Sequence, residues 1–394
     1  MVSTSLMRVL APRAASQARR GLGLSGQGQR RCQGAAASGV ADFRSDTVTK
    51  PCKRLRGAMA RAEVGDDVFG EDPTVGKLEE LVARLLGKEA ALLVPSGTMG
   101  NLVAVGVHCR RGDEIILGER SHMFCYEGAG ASAFLGVSYR PVRNAPDGGV
   151  DPADVLNAVR PDDPHCPRSS LLCLENTHNK CGGRAVPAAR AAEAAAAARS
   201  AGLAVHVDGA RLWNAAAALG VSPAALVRDA DSATVCLSKA LGAPAGSVLA
   251  GPAPFVREAK RLRKALGGGM RQAGIAGVLA AAGLEAIVNN YPGLRGDHLR
   301  ARALADGLGR LEGVRAPPAK EVETNIVYFQ VEGPTSAGEV ACRMREEHGV
   351  LVGCGYGERT LRMVTHRDVG DEEVSRALEA FAAVLGEKGV AGEM

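Results

Sequence analysis

The ten cysteines include no Cys-x-x-Cys pair, which argues against a zinc site or a disulfide framework and suits a reducing interior. His178 and Cys181 stand close together but lack a second ligand pair, so no metal is expected. No continuous apolar run approaches the roughly 18–20 residues of a membrane-spanning helix, and no membrane partner is expected. The first 41 residues contain neither an acidic residue nor a lysine, whereas Arg8, Arg13, Arg19, Arg20, Arg30 and Arg31 punctuate a background of Ser, Ala, Gly and Gln. This is the make-up of a mitochondrial transit peptide. Residues 1–41 are therefore set apart from the fold as a disordered leader directing the chain to the mitochondrial matrix; a tail with no address, and a cytoplasmic protein, is the alternative. The leader carries the excess behind the formal net charge of +5, so the basic balance is no argument for nucleic acid as a partner. Its Gly21-Leu-Gly23-Leu-Ser-Gly26 has the G-x-G-x-x-G form but no strand before it and no apolar helix after it, so it is not a dinucleotide site.

The rest of the chain is organised around Lys239. Thr234 to Ser238 suit a strand, and they deliver the lysine to a turn marked by Gly242 and Pro244. Apolar surroundings disfavour an ammonium, and the neutral amine is the form that attacks a carbonyl. Upstream, Leu203 to Asp208 alternates like a strand and ends in a carboxylate. A strand-end Asp followed by a strand-end Lys is the pair that a pyridoxal phosphate site needs: the lysine holds the aldehyde, and the carboxylate keeps the pyridine nitrogen protonated. Taken alone, Asp208 could equally be the N-cap of a helix over Arg211–Ala218.

The order of elements supports the pairing. Gly65 to Pro73 is an acidic, Gly-rich loop; a capping Thr74 opens a helix with Leu78, Leu81, Val82, Leu85 and Leu86 at helical spacing, ending at Gly87. Ala90–Val94 reads as an apolar strand, Ser96-Gly97-Thr98 as a turn, and the residues from Leu102 as an apolar helix, whose free amides make a natural phosphate seat with Gly97 and the Thr98 hydroxyl. Further strands are expected at Glu114–Leu117, Val137–Arg140 and Ser169–Glu175, with His122 in a loop and an Ala-rich helix over Pro187–Ala201. Strands alternating with helices imply a mostly parallel sheet covered on both faces, whose ligands gather at the carboxyl ends of strands. Phe255–Leu266 reads as a basic helix with a solvated face, ending at Gly267-Gly-Gly, and Gly274–Asn289 as an apolar helix. From about Tyr291 the pattern becomes that of a smaller α+β unit, with strands at Asn325–Gln330 and Leu361–His366 and a last helix bearing Val374, Leu378, Phe381 and Leu385. The expected division is a large cofactor-binding domain over 42–290 and a small C-terminal domain over 291–394.

Seven stretches in order resemble the low-specificity L-threonine aldolases, in the aspartate-aminotransferase-like fold type I class of pyridoxal phosphate enzymes. They are Arg44-Ser-Asp-Thr-Val-Thr, Gly65-Asp-Asp-Val-Phe-Gly-Glu-Asp-Pro-Thr, Pro95-Ser-Gly-Thr-Met-Gly-Asn, Leu174-Glu-Asn-Thr-His-Asn, His206-Val-Asp-Gly-Ala-Arg, Leu237-Ser-Lys-Ala-Leu-Gly-Ala-Pro and Gly267-Gly-Gly-Met-Arg-Gln. The resemblance implies an α/β fold and a retro-aldol cleavage of L-threonine or L-allo-threonine to glycine and acetaldehyde. It implies that Lys239 forms the Schiff base, that Gly97 and Thr98 hold the phosphate, and that Arg271 with Lys264 reaches it from a neighbouring subunit. His122 would stack on the ring, with Asp208 on its nitrogen. Ser45, Arg211 and Arg362 would grip the substrate carboxylate, with His122 and His165 as candidates for the β-hydroxyl base. A homodimer or homotetramer with shared sites follows from the same resemblance. Ala240 departs from the family, which has glycine after the lysine, and the loop over 179–187 also differs. Lys, Asp and the phosphate turn are common to the class, so β-elimination, transamination or non-catalytic cofactor binding are the competing functions.

Overall fold

The computed structural model describes residues 39–274, 283, 286–287 and 291–386. The leader up to residue 38 and most of the expected helix over 274–289 lie outside the described residues. The chain enters through β1 (Ala41–Asp42), which pairs in parallel with a strand near the other end of the chain (β11, Val350–Leu351). It then builds a seven-stranded sheet from β2 (Ala90–Val94), β3 (Glu114–Gly118), β4 (Ser138–Val142), β5 (Ser169–Glu175), β6 (Ala204–Gly209), β7 (Ser232–Cys236) and β8 (Ser247–Gly251). The spatial order is β2-β8-β7-β6-β5-β3-β4; β4, β3, β5, β6 and β7 run parallel, and β8 lies antiparallel to both β7 and β2.

Alternation within the strands assigns the two faces. Leu93, Ile116, Leu172, Val205, Val207 and Val235 point into one core. That core is shared with α1 (Pro73–Leu86), α4 (Ala188–Ser200) and α5 (Leu212–Leu219). Leu92, Val94, Ile115, Leu117, Leu171 and Leu249 point the other way, toward α2 (Gly97–His108) and α6 (Ala253–Ala265). A sheet sandwiched in this way must expose its chemistry at strand ends, because both faces are dry. Between α2 and α4 lies a one-turn helix, α3 (His122–Cys125).

A second core surrounds an antiparallel sheet of β9 (Val314–Arg315), β10 (Ile326–Val331) and β12 (Thr360–Val364), with β10 in the middle. It is covered by α7 (Leu294–Leu308), α8 (Ala337–His348) and α9 (Asp371–Gly386). Ala41 and Phe43 are buried in this second core, so the first folded residues pack with the C-terminal part of the chain.

Three local expectations are corrected. The N-cap of α1 is Asp72, whose carboxylate accepts the amides of Thr74 and Val75 ahead of Pro73 in the first turn; Thr74 lies inside the helix. The strand before Lys239 ends at Cys236, two residues earlier than expected. The basic helix α6 is not wholly solvated: Arg263 is buried, 2.6 Å from the buried Asp67, and donates to the Leu93 carbonyl.

Candidate active site

The carboxyl ends of β5, β6 and β7 and the start of α2 converge on one place. At α2, Ser96 is the N-cap and accepts the Met99 amide, while the amides of Gly97 and Thr98 take no partner among the described residues. A Cβ on Gly97 would come within 2.8 Å of Cys236 Sγ, so glycine is what lets this turn sit against the end of β7. An open first turn seated on the lysine strand suits a phosphate.

Lys239 follows β7 in a tight connection. Its carbonyl accepts from the Thr49 hydroxyl (2.9 Å) and the Gly242 amide (2.8 Å), and Gly242 has the left-handed φ of +82° that the turn requires. Trp213 Nε1 donates to the Cys236 carbonyl, which fixes the strand end beneath it. Ala240, where the resemblance expects glycine, is buried without distortion of the turn, with its φ outside the left-handed region.

Asp208 is buried near the end of β6 and paired in register with Glu175 of β5. Its Oδ1 accepts the Ala210 amide and its Oδ2 the Asn101 side chain. It is not the cap of α5, whose N-cap position is held by Arg211. Ligand atoms of His122, Glu127 and Asp208 lie within 4.8 Å of one another. The His122 amide donates to Glu175 Oε2 (2.6 Å), and its ring Nδ1 lies 2.9 Å from Glu127 Oε1. Burial pulls the His122 imidazole down, but the hydrogen bond to Glu127 and the charge of Asp208 outweigh it and raise its pKa. Burial pushes the Glu127 carboxyl up, and the like charge of Asp208 adds to that.

Two arginines stand on the other side. Arg211 is buried and grips Asp46 with Nε (2.8 Å) and Nη2 (2.6 Å), leaving Nη1 outside the fork. Burial pushes the Asp46 carboxyl up, but Arg211, Lys239 and the Asn325 amide together hold it well below the usual carboxylate range. Arg362 lies 4.8 Å over the Tyr356 ring and donates to Asn179 Oδ1 and the Arg44 carbonyl. Glu175 connects the two sides, since its other oxygen accepts the Asn179 amide. Ser45 caps the short turn Asp46–Val48.

The structure thus brings together Gly97, Thr98, His122, Asp208, Lys239, Ser45, Arg211 and Arg362. His165 is not among them: it sits before the amino end of β5, 90% exposed, with Nδ1 2.7 Å from Asp163. A strand's length separates that edge from the site in its own chain. Arg271 is exposed and paired with Asp66, on a loop whose Gly268 abuts Met99 of α2, and Lys264 lies near Gly269 of the same loop. Sequence reasoning gave no role to Asp46, Asn101, Glu127 or Asn179. Three of them, Asp46, Asn101 and Asn179, lie within the quoted motifs as polar members without an assigned role.

Removing the Asp46 carboxylate leaves Arg211 buried and unpaired. Asp46→Ala is therefore expected to cost about 3–5 kcal/mol of stability, read as a lower urea midpoint at unchanged slope. Because the folded-state pKa is depressed, the Asp46 contribution is complete above the ordinary carboxylate range and is lost as pH falls below it. The difference in stability between wild type and variant should shrink on acidification.

A mostly parallel sheet with a lysine, a carboxylate and a phosphate turn at its strand ends is the fold type I pyridoxal phosphate class. The comparisons agree with that class. The family model described as beta-eliminating lyase matches residues 42–332. The chain is 48% identical over 348 residues to a probable low-specificity L-threonine aldolase 2 of Arabidopsis thaliana, covering 87% of this chain and 97% of the relative. It is 41% identical over 344 residues to the low specificity L-threonine aldolase of Escherichia coli K12, covering 87% of this chain and 99% of that one. Among solved structures, the threonine aldolase of Leishmania major superposes with a TM-score of 0.72 at 21% identity, covering 88% of this chain and 99% of that one, a likeness of fold. The chain belongs to the beta-eliminating lyase family and, within it, to the low-specificity L-threonine aldolases.

Proposed function

We propose that this protein cleaves L-threonine and L-allo-threonine to glycine and acetaldehyde with pyridoxal phosphate as cofactor. The observation that carries this is the His122–Glu127 pair beside Asp208, an imidazole backed by its own carboxylate, which is the equipment a hydroxyl-proton acceptor needs. The open turn at Gly97 and the buried carboxylate at Asp208 would hold the phosphate and the pyridine nitrogen, and Lys239 would supply the amine for the aldehyde. When bound, the cofactor supplies a ring that accepts the electrons left on Cα. Arg362, with Arg211 Nη1 and Ser45, holds the substrate carboxylate, and that grip orients the amino acid at the site. His122 takes the β-hydroxyl proton, and Glu127 steadies the imidazolium that results.

The test is to incubate the purified protein with L-allo-threonine and measure acetaldehyde and glycine. Equal amounts of both are expected. Pyruvate and ammonia from L-serine, with no acetaldehyde from either threonine isomer, would overturn the proposal in favour of β-elimination.

We further propose that the chain divides near residue 290 into a large and a small domain, and that the arginine-rich leader directs it to mitochondria. Two or four copies assemble with shared sites. Arg271 and Lys264 then complete a neighbour's phosphate seat, and His165 serves a site only in a second copy, because its own Lys239 is at the opposite edge of the sheet. Mixing the inactive variants Lys239→Ala and Arg271→Ala is expected to restore activity, since a hybrid contains one intact site. No recovery in demonstrably mixed oligomers counts against sharing.

A further inference from the structure

Behind Asp208 runs a line of buried polar side chains that the substrate grip does not use. Asn101 Nδ2 lies 3.0 Å from Asp208 Oδ2 and 3.0 Å from Glu127 Oε1. Asn101 Oδ1 lies 3.2 Å from His206 Nε2, His206 Nδ1 lies 2.9 Å from Ser232 Oγ, and Ser232 Oγ lies 2.8 Å from His108 Nε2. Asn101, His206 and Ser232 are all buried.

Donor and acceptor chemistry fixes the direction of this chain. Ionised carboxylates only accept, so the Asn101 amide nitrogen must face Asp208 and Glu127, and its oxygen must face His206. That oxygen only accepts, so His206 carries its proton on Nε2. The His206 Nδ1 then accepts, the Ser232 hydroxyl donates to it, and the Ser232 oxygen accepts from His108 Nε2–H. Every donor points toward Asp208, and aligned hydrogen bonds of this kind polarise one another. The assignment requires a neutral His206, because an imidazolium could not accept at Nδ1, whereas His108 donates from Nε2 in either form. Burial pushes His206 down to about 3, helped by the neighbouring His108, and pushes His108 down to about 4.

We propose that Asn101 and His206 are positioning residues: the one-way chain from His108 through Ser232 and His206 locks the Asn101 amide between Asp208 and Glu127. Two carboxylates this close share a proton unless each is given its own donor. The amide gives a donor to both, holding the Asp208 carboxylate in place for the pyridine nitrogen and leaving Glu127 turned to His122. The catalytic consequence rests on the proposed function, whereas the geometry of the chain rests on the fold.

The first experiment uses the full chain labelled with ¹⁵N-histidine, with and without cofactor, and long-range ¹H–¹⁵N spectra. His206 and His108 should both be neutral Nε2–H tautomers from about pH 5 to 8, where an ordinary histidine changes charge. A His206 proton on Nδ1, or a titration in that window, overturns the chain. The second experiment titrates pyridoxal phosphate and the visible absorbance of the bound cofactor against pH. Asn101→Leu should weaken cofactor binding about ten- to hundredfold, the effect of a lost hydrogen bond to a charged group, and move the pH midpoint of the absorbance. His206→Phe fills the same volume without a donor and should shift in the same direction, whereas His206→Gln keeps a donor toward Asn101 and should restore the wild-type midpoint. If Phe and Gln behave alike, His206 only fills space and the proposal fails. Should Asn101→Leu not fold, Ser232→Ala removes one hydroxyl with little change of volume and should leave His206 a mixture of tautomers; an unchanged His206 signal overturns the chain. A protein that binds no pyridoxal phosphate but shows the expected tautomers sinks the proposed function and leaves the geometry standing. Normal binding with His206 protonated on Nδ1 does the reverse.

Discussion

Lys239→Ala is expected to reduce acetaldehyde formation to the uncatalysed background while the protein still folds and still binds pyridoxal phosphate weakly. The side chain is only partly buried, and the contacts that shape its turn are made by its carbonyl, to Thr49 and Gly242, so they survive the substitution. The α2 amide turn and Asp208 also survive, and they retain part of the affinity through the phosphate and the ring nitrogen. What disappears is the amine that fixes the aldehyde and exchanges with the substrate. Borohydride treatment of the wild type should leave the cofactor attached to Lys239 alone, as read by peptide mass. Attachment to any other lysine, or a Lys239→Ala protein that turns over, would sink the assignment. One further consequence is local. The Lys239 charge helps hold the Asp46 carboxyl low and opposes protonation of His122, so the variant should let the Asp46 carboxyl rise toward its ordinary range and raise His122 further.

The parts of this site that could be read from the chain are those whose position follows from an element ending. Asp208, Lys239 and the Gly97 turn each close or open an element with a clear apolar pattern, and in a parallel sheet those ends lie on one edge. What could not be read depends on pairing across the chain. Asp46 meets Arg211 across 165 residues, and Asn101 meets Asp208 across 107, so neither local pattern announces its partner. Strand β8 escaped for a different reason. Ser247-Val-Leu-Ala-Gly is short, small and buried throughout, with no alternation to mark it, and its antiparallel direction breaks the strand-helix rhythm. The cap of α1 was within reach, because Asp72 directly precedes a proline, the arrangement that favours a carboxylate cap over a threonine inside the helix. His165 could be read as a residue, but only the topology reveals that its loop lies at the amino edge of β5.

His122→Asn is expected to separate the two things an imidazole at this position can do. The backbone amide of residue 122 would still be held by Glu175, and asparagine can still meet Glu127 with its amide, so the loop keeps its place. Loss of a stacking contact alone would mainly weaken cofactor binding and would be recovered at saturating cofactor. Loss of a general base should instead lower kcat for aldol cleavage by about 10²–10⁴-fold even when cofactor saturates. Exchange of the glycine α-proton does not use the β-hydroxyl and should stay near the wild-type rate. The pH profile supplies the sign. The base must be neutral to accept a proton, and its pKa is raised by Glu127 and Asp208 against the effect of burial. Wild-type kcat should therefore fall as pH drops through a midpoint above the ordinary histidine range, and that limb should vanish in the variant. If cleavage and exchange fall together by the same factor, His122 positions the ring and the base lies elsewhere, with His165 of a second copy the first residue to change.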